Sequence, residues 1–348
     1  MGARLAVPLA VAGLLAGLAA CGGGSSGSTT ASGSPVPESA AGLQQQYESV
    51  VNSVLPSVVQ IFTSSSTGSG VVYDDKGDIV TNAHVVGDSA EVKVVPATGG
   101  ETVTGHVLGT FAAGDLAVIR VEDEAGKLKV ATFGNSNDVK AGQIVLAMGN
   151  PLGLTGSVSQ GIVSALGRTV TAATSSGGEA TTITDAIQTT AAINGGNSGG
   201  ALVSLSGQVI GIPTAAARDP EAGAAPGIGF AIPSDTATDI ADQIISTGKV
   251  TNSGRASLGI SATTVATSDG QEAGVGLISV EQGGAADKAG LRAADIIVAV
   301  DGHQTPNVAT LNTLLAQLTP GKQVEVKYLR SGSSSAHTTT ATLGTLTG

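Results

Sequence analysis

Nucleophilic catalysis by a hydroxyl needs a base that is neutral near physiological pH, and this chain offers four histidines, at positions 84, 106, 303 and 337. His84 stands in Ile79-Val80-Thr81-Asn82-Ala83-His84-Val85-Val86, at the end of a β-branched segment that reads as a strand over 78–86. Taken alone it fits a satisfied core residue equally well. The other three have weaker settings: His106 in an alternating Thr/Val strand, His303 after the turn pair Asp301-Gly302, and His337 in a polar Ser/Thr tail. Asp115 opens Asp115-Leu116-Ala117-Val118-Ile119-Arg120, where a buried carboxylate could fix the tautomer of an imidazole and stabilise its protonated form. Ser198 lies in Asn194-Gly195-Gly196-Asn197-Ser198-Gly199-Gly200. Glycines there let the backbone turn sharply, present the hydroxyl, and aim the amides of Gly196 and Ser198 at one point, where an oxyanion would sit.

Each signal is weak alone and gains from the others. The residues occur in the order His, Asp, Ser, with 31 positions from His84 to Asp115 and 83 from Asp115 to Ser198. That is the chain order of the chymotrypsin-like triad. Gly196-Asn197-Ser198-Gly199-Gly200 also fits the nucleophile elbow of α/β-hydrolases, but an elbow needs a helix after the serine and an acid and a histidine further on. Here 201–212 reads as strand, turn, strand, and the later histidines fall in a second domain.

The elements that must position these groups are short. Between Val58 and Pro233 run β-branched segments at 58–64, 68–74, 78–86, 91–97, 102–110, 116–122, 143–150, 156–166, 182–190, 200–212 and 228–233, separated by Gly, Asp, Asn or Ser. Such spacing without intervening helices predicts an antiparallel barrel or sandwich. An amphipathic stretch at 235–247, with Ile240, Ile244 and Ile245 on one face and Gly248 at its end, predicts a closing helix. After a Gly/Ser/Asn boundary at 251–254, strands near 257–264, 276–281, 295–300 and 323–329 alternate with helices near 285–290 and 308–318, an α+β module.

The N-terminus reads as an export signal. Arg4, an apolar run over 5–20 and Leu18-Ala19-Ala20-Cys21 form a pattern that resembles the bacterial lipoprotein signal, with Cys21 as the lipidated residue. Residues 1–20 are then signal and 21–43 a lipidated cysteine followed by a flexible Gly/Ser/Pro tether, leaving 44–250 and 254–348 as the two folded domains. Cys21 is the one cysteine in 348 residues, so the exported fold relies on its core and not on disulfides. Residues 45–253 carry 9 Lys/Arg against 19 Asp/Glu, and 254–348 carry 6 against 7. With no basic cluster, nucleic acid is excluded as a partner.

These motifs together resemble the HtrA/Deg family of trypsin-like proteases: Gly68-Ser69-Gly70-Val71-Val72, Thr81 to Val86, Asp115 to Ile119, Ile187-Gln188-Thr189 with 191–200, and Gly227-Ile228-Gly229-Phe230-Ala231-Ile232-Pro233. The resemblance implies a mainly β protein, a chymotrypsin-like double β-barrel followed by an α+β PDZ domain. It also implies His84, Asp115 and Ser198 as triad, the amides of Gly196 and Ser198 as oxyanion hole, and Ala215, Ala216 and Ile228 as specificity pocket. No metal or other cofactor is required. The PDZ pattern, in Ser257-Leu258-Gly259-Ile260, Gly276 to Val280, Ala285, Ala289-Gly290-Leu291, Asp295-Ile296-Ile297 and Asp301-Gly302, implies that Ser257, Leu258, Gly259 and Ile260 receive peptides with apolar C-termini. The resemblance further implies a homotrimer cleaving unfolded exported proteins, and the lipoprotein-type signal at Cys21 places it on the outer face of a bacterial cytoplasmic membrane. Three positions depart from the family pattern: Thr190 in place of Asp, Ala201 in place of Pro, and Pro213 in place of Asn. Pro213 lacks a donor near the substrate-pairing segment. The rival expectation is a peptide sensor or chaperone that keeps the fold without catalysis.

Overall fold

Strands that are apolar on both faces must be covered on both, and the β-branched runs of the first domain are covered by their own barrel on one face and a second barrel on the other. The computed structural model describes residues 38–122, 128–150, 156–172, 181–219, 223–330 and 335–348, with the backbone alone described at 38, 171–172, 215–219 and 223–226. Cys21 and the signal segment lie outside the described residues. Residues 42–348 form one compact unit.

A helix, α1 (Glu38–Val54), leads into β1 (Val58–Phe62), β2 (Thr67–Val72), β3 (Asp78–Thr81), a one-turn helix α2 (Ala83–Val86), β4 (Glu91–Pro96), β5 (Val103–Phe111) and β6 (Leu116–Arg120). These strands close a barrel in the order β1-β2-β3-β6-β5-β4. A second barrel, in the order β10-β11-β12-β9-β8-β7, contains β7 (Ile144–Gly149), β8 (Ser157–Ala172), β9 (Thr181–Thr189), β10 (Ala201–Ser204), β11 (Val209–Asp219) and β12 (Gly223–Pro233). Val59, Ile61, Ile79, Val94 and Ile119 fill the first barrel, and Val145, Val163, Ile187, Leu202 and Ala231 the second. The outward-facing Val58, Val71, Val80 and Val118 meet Leu146, Met148, Val203 and Ile212 in a shared seam. The helix α3 (Ser234–Thr247) caps that seam with Ala237, Ile240 and Ile244.

Three local expectations are corrected. The tether expected over 21–43 gives way to α1 at Glu38, because Tyr47, Val50, Val51 and Val54 recur at helical spacing and pack on the seam. The strand expected over 78–86 stops at Thr81, and His84 sits on α2, whose chain reverses at Gly87 with φ of 55°. The polar tail around His337 is a strand, since its alternating threonines suit a sheet edge with one solvated face.

The C-terminal module holds β13 (Ala256–Ser257), β14 (Ile260–Ala266), β15 (Glu272–Val280), α4 (Ala285–Lys288), β16 (Ile296–Val300), β17 (His303–Gln304), α5 (Val308–Ala316), β18 (Gln323–Leu329), β19 (Ala336–Thr342) and β20 (Gly344–Thr345). Its sheet runs β14-β15-β16-β18-β19, which leaves β14 at an edge. Val250 and Gly348 exchange two backbone hydrogen bonds of 3.0 and 2.9 Å, so the module closes back on the end of the first domain.

One buried ion pair fastens the first barrel. Asp78, at the start of β3, has a side chain 0% exposed and receives Arg120 Nε and Nη2 from β6 at 2.8 and 2.7 Å. Burial pushes the Asp78 carboxyl above the usual carboxylate range, and Arg120 pulls it back. Arg120→Ala should therefore destabilise the protein by about 3 kcal/mol in urea unfolding at neutral pH. The deficit should shrink as pH falls, because a protonated Asp78 needs no cation.

Candidate active site

Antiparallel pairing of β3 with β6 sets Thr81 opposite Ala117, so the residues after β3 and before β6 are neighbours. His84 and Asp115 occupy those two places. Asp115 follows a 3-10 turn, Ala112–Gly114, and has left-handed backbone with φ of 54°, a region Asp tolerates better than most side chains. The turn points its carboxylate at α2. Oδ1 accepts the His84 backbone N–H at 3.0 Å, and ring Nδ1 lies 2.9 and 2.8 Å from Oδ1 and Oδ2. Thr214 Oγ1, from β11 in the other barrel, donates to Oδ2. Asn82 Nδ2 donates to the Asp115 carbonyl at 2.9 Å.

The carboxylate side chain is 8% exposed and the imidazole 42%. Nδ1 is thereby the protonated nitrogen, and Nε2 is left to take a proton from the cleft. Burial lowers the His84 pKa, but the hydrogen bond and charge of Asp115 outweigh it, so the imidazole titrates above its ordinary value. Sequence left those opposing terms open; the bidentate contact decides between them.

Ser198 precedes β10, at the seam. Its carbonyl accepts Ser69 N–H from β2 at 2.9 Å, and the next amide, of Gly199, donates to the Pro213 carbonyl at 2.8 Å. Gly199 has φ of 79°, and a Cβ there would lie 2.3 Å from the Ser69 carbonyl oxygen, so the turn admits no side chain. Ser198 Oγ lies 3.3 Å from the Asn194 carbonyl and 3.4 Å from that of Thr214. No hydrogen bond joins it to His84 among the described residues. The Ser198 amide meets no acceptor among them, whereas the Gly196 amide donates to Asn194 Oδ1 at 3.2 Å. An oxyanion at this point would take one free donor at once and the second when Asn194 yields.

The three departures are accommodated. Pro213 falls at a register slip between β11 and β12, where no ladder donor is needed, and its carbonyl holds Gly199. The Thr190 hydroxyl accepts Ile162 N–H at 3.0 Å, and Ala201 pairs with Met148 in the β10–β7 ladder. Of Ala215 and Ala216 the backbone alone is described; they pair with Phe230 and Gly229, one residue from Ile228, whose side chain is 38% exposed.

In the C-terminal module Leu258 is 1% exposed and packs in the core, and its carbonyl accepts Ala286 N–H at 2.8 Å. The Ser257 hydroxyl already accepts the Gly259 amide at 3.0 Å, and a cavity of about 270 Å³ beside the loop is lined by Ser257, Gly259, Ile260 and Glu281.

Sequence reasoning missed Asn82, Thr214 and Ser69 as parts of this site. Their signal was present: each is a small polar residue inside a motif otherwise apolar or glycine-rich. Among the described residues no cluster suits a metal ion, and no helix is long and apolar enough to cross a membrane.

Comparison with known proteins bears on this geometry. Residues 68–212 match the trypsin-like peptidase domain, and 256–340 match the PDZ domain. Serine protease PepD of Mycobacterium tuberculosis is 37% identical over 92% of this chain and 71% of its own length. Serine protease Do-like HtrA of Bacillus subtilis is 38% identical over 78% of this chain and 62% of its own. This chain spans about half, 52%, of a DegP-like periplasmic serine endoprotease of Chlamydia trachomatis, at 39% identity over 76% of the present sequence. Among solved structures, the serine endoprotease from Yersinia pestis aligns with a TM-score of 0.56 and 32% identity, covering 86% of this chain and 98% of that one. The HtrA-type protease AlgW, solved with a tripeptide, aligns with a TM-score of 0.55 and 32% identity, covering 86% and 96%.

An NMR titration of the His84 imidazole should give a midpoint above the reference of about 6.5 in the wild type. In Asp115→Asn the carboxylate's charge and its charge-assisted hydrogen bond are lost while burial remains, so the midpoint should drop below that reference.

Proposed function

Because the chain belongs to the HtrA/DegP family of trypsin-like serine proteases with one C-terminal PDZ domain, we propose that it is a membrane-tethered extracytoplasmic endopeptidase acting on unfolded exported proteins. The observation that carries the chemistry is the bidentate seat of His84 Nδ1 on Asp115, with Ser198 fixed across the barrel seam from it.

In this reading Ser198 Oγ rotates from its carbonyl neighbours toward His84, which takes the hydroxyl proton as the oxygen attacks a peptide carbonyl. Asp115 holds the imidazole and stabilises its charge, and Thr214 holds Asp115. The Ser198 and Gly196 amides receive the oxyanion once Asn194 releases the latter. His84 then passes its proton to the leaving amine, and water repeats the sequence to free the acyl group. Ala215, Ala216 and Ile228 line the pocket for a small aliphatic side chain, since they offer no carboxylate to a basic one. Peptides with apolar C-termini add a strand to the edge of β14 beside Ser257, Gly259 and Ile260 and regulate cleavage. Cys21 carries the lipid, and the assembly is a homotrimer. The periplasmic names of relatives support an extracytoplasmic location.

One observation favours the rival, a non-catalytic peptide sensor: Ser198 and the Gly196 amide are both engaged within their own loop. Incubation with unfolded casein separates the two. The wild type should cleave it and Ser198→Ala should not, with the fold intact; suppression of aggregation without cleavage by the wild type would establish the sensor. Cys21→Ser should move the protein out of the membrane fraction, because acyl chains supply the anchoring.

A further inference from the structure

Ser69, beneath the Ser198 loop, has two other buried polar residues beside it: Gln60 by strand pairing and Asn150 through its backbone. On β1 and β2, Val58 pairs with Val71 and both pack between the barrels, while Gln60, on the same face, pairs with Ser69. Gln60 and Ser69 are 0% exposed and Asn150 is 2% exposed. The Gln60 amide and Asn150 Oδ1 have no partner in the described structure, so hydrogen bonding by side chains converges here on the Ser69 hydroxyl. An apolar residue would suit the seam better, and the retained hydroxyl calls for a task.

Its contacts supply one. Ser69 Oγ donates to the Gly196 carbonyl at 2.7 Å and accepts the backbone N–H of Asn150 at 2.9 Å. The Ser69 amide holds the Ser198 carbonyl at 2.9 Å, and Thr81 Oγ1 fixes the Ser69 carbonyl at 2.6 Å. One residue therefore grips the carbonyls of both Gly196 and Ser198, the two residues whose amides would bind the oxyanion. The loop is also tied internally, at Asn194 and through the Asn197 side chain, which accepts Asn194 N–H at 3.0 Å and donates to Ala192 O at 2.8 Å. Those ties join the loop to itself; Ser69 joins it to the barrel that carries His84.

We propose that Ser69 is a positioning residue for the oxyanion hole, its hydroxyl holding the Gly196 carbonyl, and so the Cα that carries the Gly196 amide, in place when that amide leaves Asn194 for the developing negative charge. The inference rests on the endopeptidase reading. Donors stabilise a transition state in proportion to how little they must move, and holding the Gly196 carbonyl fixes the Gly196–Asn197 peptide and with it the Cα from which the Gly196 amide turns. Accepting from Asn150 also polarises the Ser69 hydroxyl and strengthens its bond to Gly196.

The test uses full-length protein, a fluorogenic peptide and a fluorophosphonate, which phosphonylates the active serine with loss of fluoride and draws on the same oxyanion donors. Ser69→Ala should lower kcat by about tenfold to a hundredfold, less than outright loss of a donor, with KM changed by less than about threefold. The rate of Ser198 labelling should fall by a similar factor. The midpoint of the pH limb should stay at its wild-type value, because the His84–Asp115 seat is untouched. Should Ser69→Ala fail to fold, Ser69→Cys fills the volume with a weaker donor and should show an intermediate loss. A labelled wild type with kcat and labelling unimpaired in the Ala variant, or in the Cys variant where Ala does not fold, overturns the inference alone. A wild type that is not labelled overturns the endopeptidase reading and the inference with it.

Discussion

A carboxylate taken out of water must be met by donors, and the seat of Asp115 is built from donors that arrive from separate parts of the fold. The His84 ring and backbone come from α2, and the Thr214 hydroxyl crosses from the second barrel. Each contact orients its partner as well as satisfying the carboxylate. The ring contact selects the tautomer that leaves Nε2 open, and the backbone contact fixes α2 against the 3-10 turn before β6. The Thr214 contact makes the barrel seam part of the site. Removing any one donor would leave a buried acceptor short, at a cost of about 1–3 kcal/mol.

The seam itself depends on small residues. With Phe and Tyr totalling seven and Trp absent, the interior is built from Val, Ile, Ala and Leu, which let backbones approach closely. Where the approach is closest only glycine fits: a Cβ on Gly200 would lie 2.2 Å from the Met148 carbonyl oxygen, and one on Gly149 2.5 Å from the Cα of Asn197. Close packing thus requires glycine at positions 149, 199 and 200, whereas a Cβ on Gly195 would meet nothing within 4 Å. Ser69 and Gln60 are the polar interruptions in that contact, and they sit under the loop and not elsewhere along β1 and β2.

Much of this was legible before any coordinates. The β-branched segments located the strands, though some ends lie elsewhere, as at Ser157–Ala172 and Gly223–Pro233, and their spacing left barrel or sandwich open where the family resemblance implied two barrels. His84, Asp115 and Ser198 were readable through their order and their motifs taken together. What was hidden depended on contacts far apart in sequence. Thr214 becomes a ligand of Asp115 only when the barrels dock, and the Ser69 hydroxyl finds Gly196 across 127 positions. α1 was obscured by its glutamines and serines, which face water while Tyr47, Val50 and Val54 face the seam. The motif around Leu258 and Ile260 left open which of the two is core; Leu258 is the buried one, with Ile260 packed against the same cluster.

The central claim is that Asp115, through its grip on His84, makes the imidazole a base with a raised pKa. The most direct measurement is the pH dependence of kcat/KM for a short peptide in the wild type and in Asp115→Asn. The wild type should lose activity on the acid side along a limb centred above about 6.5, and the variant should fall by about 10³ to 10⁴. A limb below that reference in the wild type, or a variant within tenfold of wild-type activity, would contradict the account.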